Sequence, residues 1–144
     1  MKSSVYFATL ISDKKDGGFV VTFKDFPEAI TQGENVEDSL LNASDCLEEA
    51  IANRIEMNLP IPKPSRKKPG QYPVSLHIHM AVKVALYNAI RESNITKIEL
   101  AKRLDCDEKE IRRLLDPHHF SKIRRIESAL SIMGKRLIVE VQAL

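Results

Sequence analysis

Two short helices separated by a tight turn are predicted for residues 96–115, and this stretch constrains the possible folds most. Thr96 and Glu99 have the spacing of a helix N-cap and its capping-box partner. Asp107 and Glu110 repeat that spacing, so a second helix can begin soon after the first one ends. The arrangement predicts a helix-turn-helix motif, whose second helix lies in the major groove of DNA.

Apolar residues of the two helices are predicted to share a small core. The expected inward-facing residues are Ile98, Ala101 and Leu104 in the first helix and Ile111, Leu114 and Leu115 in the second. The turn needs a residue that tolerates positive φ, and Asp105 meets that need less well than glycine would. An ordinary helix pair with a solvated charged face would share this pattern, but caps, periodicity and charge together favour DNA binding.

Basic residues fall on the predicted outer face of the second helix, where they can contact phosphates and guanine edges. Lys109, Arg112 and Arg113 have the i, i+3, i+4 spacing of one helix face. Glu108 either accepts a hydrogen bond from a cytosine amino group or interacts favourably with the helix dipole. The complete set of predicted DNA contacts is Thr96, Lys97, Glu108, Lys109, Arg112, Arg113, Ser121 and Lys122.

Charge is distributed unevenly along the chain, although the formal net charge is only +2. Residues 1–59 hold 5 basic and 11 acidic side chains, residues 60–80 hold 4 and 0, and residues 81–144 hold 13 and 9. The three segments therefore carry −6, +4 and +4. An acidic front and a basic back indicate two modules with different partners.

The expected compartment is the cytoplasm. The first residues lead directly into a strand-like segment rather than a signal peptide, and no apolar run is long enough to cross a membrane. Cys46 and Cys106 are predicted in different modules and in helical contexts, so buried, reduced thiols are expected rather than a disulfide or a metal site.

An antiparallel sheet with one long helix is predicted for the N-terminal module. Residues 5–11 and 19–23 have strand patterns on either side of a polar, glycine-containing turn, and residues 30–33 form a short third strand. Asn35 is the predicted N-cap of a helix with apolar residues at helical spacing. Residues 73–79 alternate apolar and polar, which predicts a strand that returns to the same sheet.

A proline-rich loop separates the predicted elements before this last strand. Four prolines and a basic cluster in residues 59–71 exclude a regular helix or strand. His77 and His79 would share a strand face, but without a nearby cysteine they are not predicted to bind a metal. The predicted domains are residues 1–58 with 72–80, the loop 59–71, and residues 81–144.

The C-terminal module is predicted to be helical except at its tail. A helix over residues 81–93 precedes the helix-turn-helix, and Ser121 is the predicted cap of a last helix. Residues 137–142 predict a strand with no local partner, and pairing with a second copy would satisfy its edge. A homodimer or higher even oligomer would suit a two-half-site operator. The predicted dimer contacts are Leu137, Val139 and Val141.

Three runs near the N-terminus carry a family resemblance. They are Gly17-Gly18-Phe19-Val20-Val21-Thr22-Phe23, Asp25-Phe26-Pro27-Glu28-Ala29 and Thr31-Gln32-Gly33-Glu34, followed by the predicted helix. This series resembles the HicB antitoxins, and the helix-turn-helix resembles the repressor-like domain that some HicB proteins carry at the C-terminus. The resemblance extends over nearly the whole chain.

The resemblance implies an α+β fold. The first module would be a partial ribonuclease-H-like sheet with a helix, and the second an all-α helix-turn-helix domain with a terminal β-strand. The first would bind and block a HicA-type toxin, a small basic ribonuclease that cleaves mRNA, and the second would repress its own operon at operator DNA. The acidic charge of the front module suits such a basic partner.

Asp25, Phe26 and Glu28 are the predicted toxin contacts, because an exposed aromatic side chain between two acids would make an anchor. A core position for Phe26 is the alternative, since aromatic residues are often buried. No cofactor is expected for either role.

Catalysis is not expected. The carboxylates do not fall where several could converge on a divalent metal, and no nucleophile–base pair, phosphate-binding glycine loop or zinc spacing is present. A different class of function stays open: a one-component transcription factor whose first module senses a small ligand. A neighbouring toxin gene would favour the antitoxin, and a metabolic operon would favour the sensor.

Overall fold

The chain forms two compact units, with the division between His77 and Ile78. The computed structural model describes residues 4–143. The first unit contains β1 (Val5–Ser12), β2 (Phe19–Phe23), β3 (Ile30–Gly33), α1 (Val36–Glu56) and β4 (Tyr72–Ser75). The second contains α2 (Ile78–Ser93), α3 (Lys97–Arg103), α4 (Glu108–Leu115) and α5 (Ile123–Ile132). The predicted α+β class is confirmed.

The sheet of the first unit has the strand order β3-β2-β1-β4 and antiparallel pairing throughout. α1 packs on one face of this sheet. Tyr6 and Ala8 in β1 are buried, as are Val21 and Phe23 in β2. Ala8 pairs with Phe23 in register, so both side chains lie on the same face. Burial of one face explains why the strands alternate between apolar and polar residues.

α1 begins at its predicted cap. Asn35 Oδ1 accepts a hydrogen bond from the backbone N–H of Asp38 at 2.8 Å, which satisfies one of the free amides of the first turn. The buried apolar residues of the helix are Ala43, Leu47, Ala50, Ile51, Ala52 and Ile55. After the helix ends at Glu56, Asn58 has a φ of 55°, a left-handed conformation that asparagine tolerates beyond helix ends.

The proline-rich segment packs against the first unit. Ile61 is buried, and the Tyr6 hydroxyl donates a hydrogen bond to the Pro62 carbonyl at 2.6 Å. Ser65 donates its N–H to the Asp25 carboxylate at 2.8 Å and its hydroxyl to the other carboxylate oxygen. These contacts carry the chain to β4, which pairs with β1.

β4 is shorter than predicted. The pattern over residues 73–79 predicted a strand through His79, but β4 ends at Ser75 and α2 already begins at Ile78. Ser75 pairs with Val5, the first residue of β1, and the Leu76 N–H still donates to the Ser4 carbonyl at 2.9 Å before the chain continues as α2. The second unit therefore begins at Ile78 rather than at residue 81.

The four helices of the second unit enclose one apolar core. Its buried members are Val82, Leu86, Ala89, Leu100, Ala101, Ile111, Leu114, Ile126, Ala129 and Leu130. α2 contributes Val82, Leu86 and Ala89 at the spacing of one helix face, and α5 packs against it. Within residues 4–143, no helix combines the length and apolarity needed to span a membrane.

Candidate nucleic-acid interface

Both predicted helix caps of the helix-turn-helix are present. Thr96 Oγ1 accepts a hydrogen bond from Glu99 N at 3.1 Å, and Asp107 Oδ1 accepts one from Glu110 N at 2.9 Å. The Glu99 side chain extends forward along α3, where it accepts a hydrogen bond from Arg103 Nε at 3.0 Å. The local signals in the sequence therefore located both helix starts correctly.

Asp105 makes the turn between α3 and α4. Its φ is 54°, the left-handed conformation that the sequence predicted at this position. The Asp105 N–H donates to the Lys102 carbonyl at 3.2 Å, and the Cys106 N–H donates to the Ala101 carbonyl at 3.0 Å. These bonds satisfy carbonyls at the end of α3 and redirect the chain into α4.

The core of the motif differs from the predicted one at a single position. Ala101, Ile111 and Leu114 are buried as expected, but Ile98 is 67% exposed and the prediction for it is wrong. Leu100 occupies the core instead, fully buried. At about 100° per residue, Ile98 lies roughly 200° around α3 from Leu100. Ile98 therefore cannot face inward once Leu100 does.

Lys109, Arg112 and Arg113 are all exposed on α4. Both arginines also pair with glutamates of the same helix: Arg112 with Glu108 at 3.2 Å, and Arg113 with Glu110 at 3.6 Å. Exposed ion pairs of this kind contribute little to stability. A phosphate or base edge could therefore replace either glutamate at small cost, and α4 presents a face suited to DNA.

Ser121 does not face solvent, so the predicted phosphate contact is wrong. Its side chain is buried, and its hydroxyl accepts a hydrogen bond from Lys83 Nζ at 2.8 Å. Ser121 does not cap α5 either, because the N-cap residue is Lys122, which makes no side-chain cap bond. Thr96, Lys97 and Lys122 are exposed, as DNA contacts would have to be.

The C-terminal tail forms no strand in the single chain. Residues 135–143 have no regular secondary structure in the single chain, and the predicted strand, which needs a second copy to pair with, stays a prediction. Leu137 packs against the core of its own unit, whereas Val139 and Val141 are 75% and 94% exposed. The two valines are therefore accessible to a second copy and Leu137 is only partly so, and all three stay predicted dimer contacts.

Phe26 belongs to the core of the first unit. Its side chain is fully buried, the Tyr6 ring packs against it edge-on at 5.1 Å, and the Arg54 guanidinium lies 4.5 Å from its ring centre. The prediction of an exposed aromatic anchor is wrong. The residue lies in a short connector without periodicity, so the sequence pattern gave no measure of its burial.

Glu28 and Asp25 both bind partners within the first unit. Glu28 accepts hydrogen bonds from Arg54 Nε at 2.6 Å and Arg54 Nη2 at 2.8 Å, and this bonding holds the pKa of Glu28 below its usual range. Asp25 binds Ser65. Burial, and then the charge of Asp25, raises the pKa of Tyr6 to about 12. A toxin contact at Asp25 or Glu28 would therefore involve residues that also hold this unit together.

The outer face of α1 is acidic and contains one exposed leucine. Its exposed acidic residues are Glu37, Asp45, Glu49 and Glu56. Leu41 is 66% exposed and lies one turn from both Glu37 and Asp45. The sequence analysis missed Leu41, which lies beside the predicted inward-facing Leu40 but about 100° further around the helix.

Neither of the two histidines predicted on one strand lies in a strand, because His77 is in the connector after β4 and His79 is in α2. His77 Nδ1 is 2.9 Å from Glu48 Oε2, which also accepts the His77 N–H at 2.7 Å. His79 lies in α2, where its ring stacks on Phe120 with 5.3 Å between ring centres. In the part of the chain that the structure describes, no three His, Cys, Asp or Glu side chains are grouped as metal ligands would be.

Comparison with known proteins matches this chain to one family. Residues 5–85 match the family model described as HicB_like antitoxin of bacterial toxin-antitoxin system. The match covers more than half of the chain, including the whole first unit from β1 onward and the first part of α2.

Similar proteins extend this match into the second unit. Antitoxin HicB of Escherichia coli (strain K12) is 37% identical over 131 residues, which cover 91% of this chain and 95% of that protein. Antitoxin HicB of Pseudomonas fluorescens (strain Pf0-1) is 31% identical over 145 aligned positions, covering 99% of each chain. Antitoxin HicB 1 of Photorhabdus laumondii is 36% identical over 128 residues, covering 89% of this chain and 81% of that protein.

Proposed function

Because the chain belongs to the HicB family of antitoxins of bacterial toxin–antitoxin systems, we propose that it inhibits a HicA-type, mRNA-cleaving toxin and represses its own operon. The first unit binds the toxin, and the second binds operator DNA. The observation that carries this proposal is that antitoxins align with nearly the whole chain, across both units. The protein acts by binding and catalyses no reaction.

Charge and exposure support toxin binding by the first unit. Residues 1–59 carry a formal charge of −6, and the outer face of α1 is acidic around the exposed Leu41. A protein that handles RNA is expected to be basic, so opposite charges accelerate its association with this surface. Asp25 and Glu28 can add to the attraction, while the buried Phe26 cannot serve as an anchor.

Reversing two charges on α1 tests this electrostatic contribution. In Asp45→Lys/Glu49→Lys, the association rate with the toxin is expected to fall about tenfold at low ionic strength and to approach the wild-type rate in high salt. Stopped-flow mixing measures both rates. The control is Lys14→Glu/Lys15→Glu, which alters two exposed residues of the β1–β2 turn and adds negative charge. Equal low-salt rates for the reversed variant and the wild type would contradict the proposed attraction.

The caps, turn and basic face of the second unit support DNA binding. α4 exposes Lys109, Arg112 and Arg113, and Lys122 follows in the next turn of the chain. The caps at Thr96 and Asp107 place the helix starts as a helix-turn-helix requires. Phosphate contacts from these lysines would give salt-dependent affinity, and an arginine that binds guanine would give sequence specificity.

Replacing Arg112 with alanine is expected to weaken operator binding by about 1–3 kcal/mol if the guanidinium contacts a base. Gel shifts with specific and scrambled fragments measure the loss. Arg103→Ala is a matched control, because Arg103 is 54% exposed and pairs with Glu99 at 3.0 Å, much as Arg112 is 57% exposed and pairs with Glu108. Similar affinities for Arg112→Ala and Arg103→Ala would remove Arg112 from the interface.

A further inference from the structure

Lys83 holds a buried ammonium group inside the second unit. Its side chain is fully buried in α2. Its Nζ donates hydrogen bonds to the carbonyls of Arg113 at 3.0 Å and Leu114 at 2.8 Å, and to the Ser121 hydroxyl at 2.8 Å. An ammonium has three donors, so all of them are used. One side chain thereby joins α2, the end of α4 and the turn before α5.

The carbonyls that Lys83 binds lie in the last turn of α4. Carbonyls at a helix C-terminus have no partner within the helix, and a cation placed there also interacts favourably with the helix dipole. The same turn carries the exposed side chains of Arg112 and Arg113. Lys83 therefore fixes, from the interior, the part of α4 that faces the proposed operator.

Ser121 connects the turn before α5 to α2, the helix that carries Lys83. His79 Nε2 accepts a hydrogen bond from Ser121 N at 3.4 Å, and His119 Nδ1 is 3.3 Å from Ser121 Oγ. Lys122, the proposed phosphate contact, comes directly after this fixed serine. The position of Lys122 relative to α4 thus depends on the contact between Lys83 and Ser121.

Packing alone does not explain why the charged side chain of Lys83 is buried. Desolvation lowers the pKa of Lys83 to about 8, although the carboxylates of Asp116 and Glu110 oppose that change. An apolar side chain of similar volume would avoid the cost of burying an ammonium, and such replacements often stabilise proteins. What an apolar side chain would not provide is the directional bonding to α4 and Ser121.

We infer that Lys83 is a positioning residue for operator binding: it holds the last turn of α4 and the start of α5 in the relative arrangement that DNA requires. Lys83 touches no DNA itself, and acts through the backbone of Arg113 and Leu114 and through Ser121. This inference rests on the DNA-binding part of the proposed function.

The test compares operator affinity for Lys83→Met and for Lys102→Met, a matched control that removes one exposed lysine from the same unit. Lys83→Met is expected to bind about tenfold more weakly near neutral pH, because the three hydrogen bonds from Lys83 Nζ to the Arg113 carbonyl, the Leu114 carbonyl and the Ser121 hydroxyl are lost. Lys102→Met is expected to stay within about threefold of the wild type. Circular dichroism at the binding temperature verifies that each variant is folded.

The pH profile separates positioning by a charged group from a loss of packing. DNA phosphates favour the charged form of Lys83, so wild-type affinity should fall as pH rises through about 8. The fall should be absent from Lys83→Met. The other charged or titratable groups around this site are Asp116, Glu110, His79 and His119, and both proteins retain all four, so the two profiles differ through the replacement of Lys83.

A folded Lys83→Met protein with wild-type affinity, or one with the wild-type pH slope, overturns the inference. If Lys83→Met does not fold, Lys83→Gln is judged by the same two criteria, since its amide keeps two donors without charge. A wild-type chain that binds no operator fragment overturns the proposed DNA binding and the inference together. If the wild-type chain binds the operator fragment and the Lys83 variant binds it equally tightly, only the inference about Lys83 is overturned.

Discussion

Gly33→Ala is expected to destabilise the first unit by about 3 kcal/mol or more, because a Cβ atom at this position would overlap α1. That atom would lie 2.3 Å from Ser39 Oγ, 2.4 Å from Ser39 N and 2.5 Å from Ser39 Cα. Two of these atoms are backbone, so a change of rotamer cannot relieve the clash. The first turn of α1 would have to move away from β3. Urea unfolding followed by circular dichroism measures the loss.

Gly17→Ala is the matched control for this experiment. Gly17 has a φ of +78°, and nothing lies within 4 Å of its hypothetical Cβ. Its replacement should cost only the backbone strain of about 1–2 kcal/mol. Gly33 is not among the positive-φ glycines, so its replacement tests steric overlap without that strain. A Gly33→Ala protein as stable as Gly17→Ala would show that α1 does not approach β3 as closely as described.

Phe26→Ala is expected to cost about 3–5 kcal/mol of unfolding free energy, the usual effect of emptying a large aromatic site in a core. Phe26 is fully buried, and its ring contacts Tyr6 and the Arg54 guanidinium. Removing the ring would also leave Arg54 to pair with Glu28 without a surface to pack on. Chemical denaturation of the variant and the wild type gives the difference.

Phe120→Ala is the control for Phe26→Ala, since Phe120 is 78% exposed and its loss should cost less than about 1 kcal/mol. Phe26→Leu should recover part of the lost stability by refilling the site. If Phe26→Ala kept wild-type stability and lost only toxin binding, Phe26 would be a surface contact and the core described here would be incorrect.

Features set by neighbouring residues could be predicted from the sequence. The caps at Thr96 and Asp107, the positive φ of Asp105 and the cap at Asn35 all depend on residues within one turn, and all four are present. Apolar periodicity located α1 and the helical unit for the same reason, because the period of burial is a local property.

Features set by distant partners could not be predicted in this way. Ser121 faces inward because Lys83, far earlier in the chain, needs an acceptor, and Phe26 is buried because Tyr6 and Arg54 enclose it. The strand predicted through His79 stops at Ser75 because the chain continues as α2, whose apolar face is buried in the helical core of the second unit. In each case the local pattern was compatible with both outcomes, and a tertiary contact decided between them.

The most direct test of an antitoxin that binds both a toxin and DNA is to express the full chain together with the small protein encoded beside it. Only the antitoxin chain carries the purification tag. The purified complex is then titrated onto the DNA fragment upstream of the pair at low ionic strength, where phosphate contacts bind most tightly. The account predicts that the neighbour co-purifies, that its toxicity is suppressed, and that the fragment shifts while a scrambled one does not. A chain that purifies without its neighbour, fails to protect the cells and leaves the fragment unshifted would contradict the account.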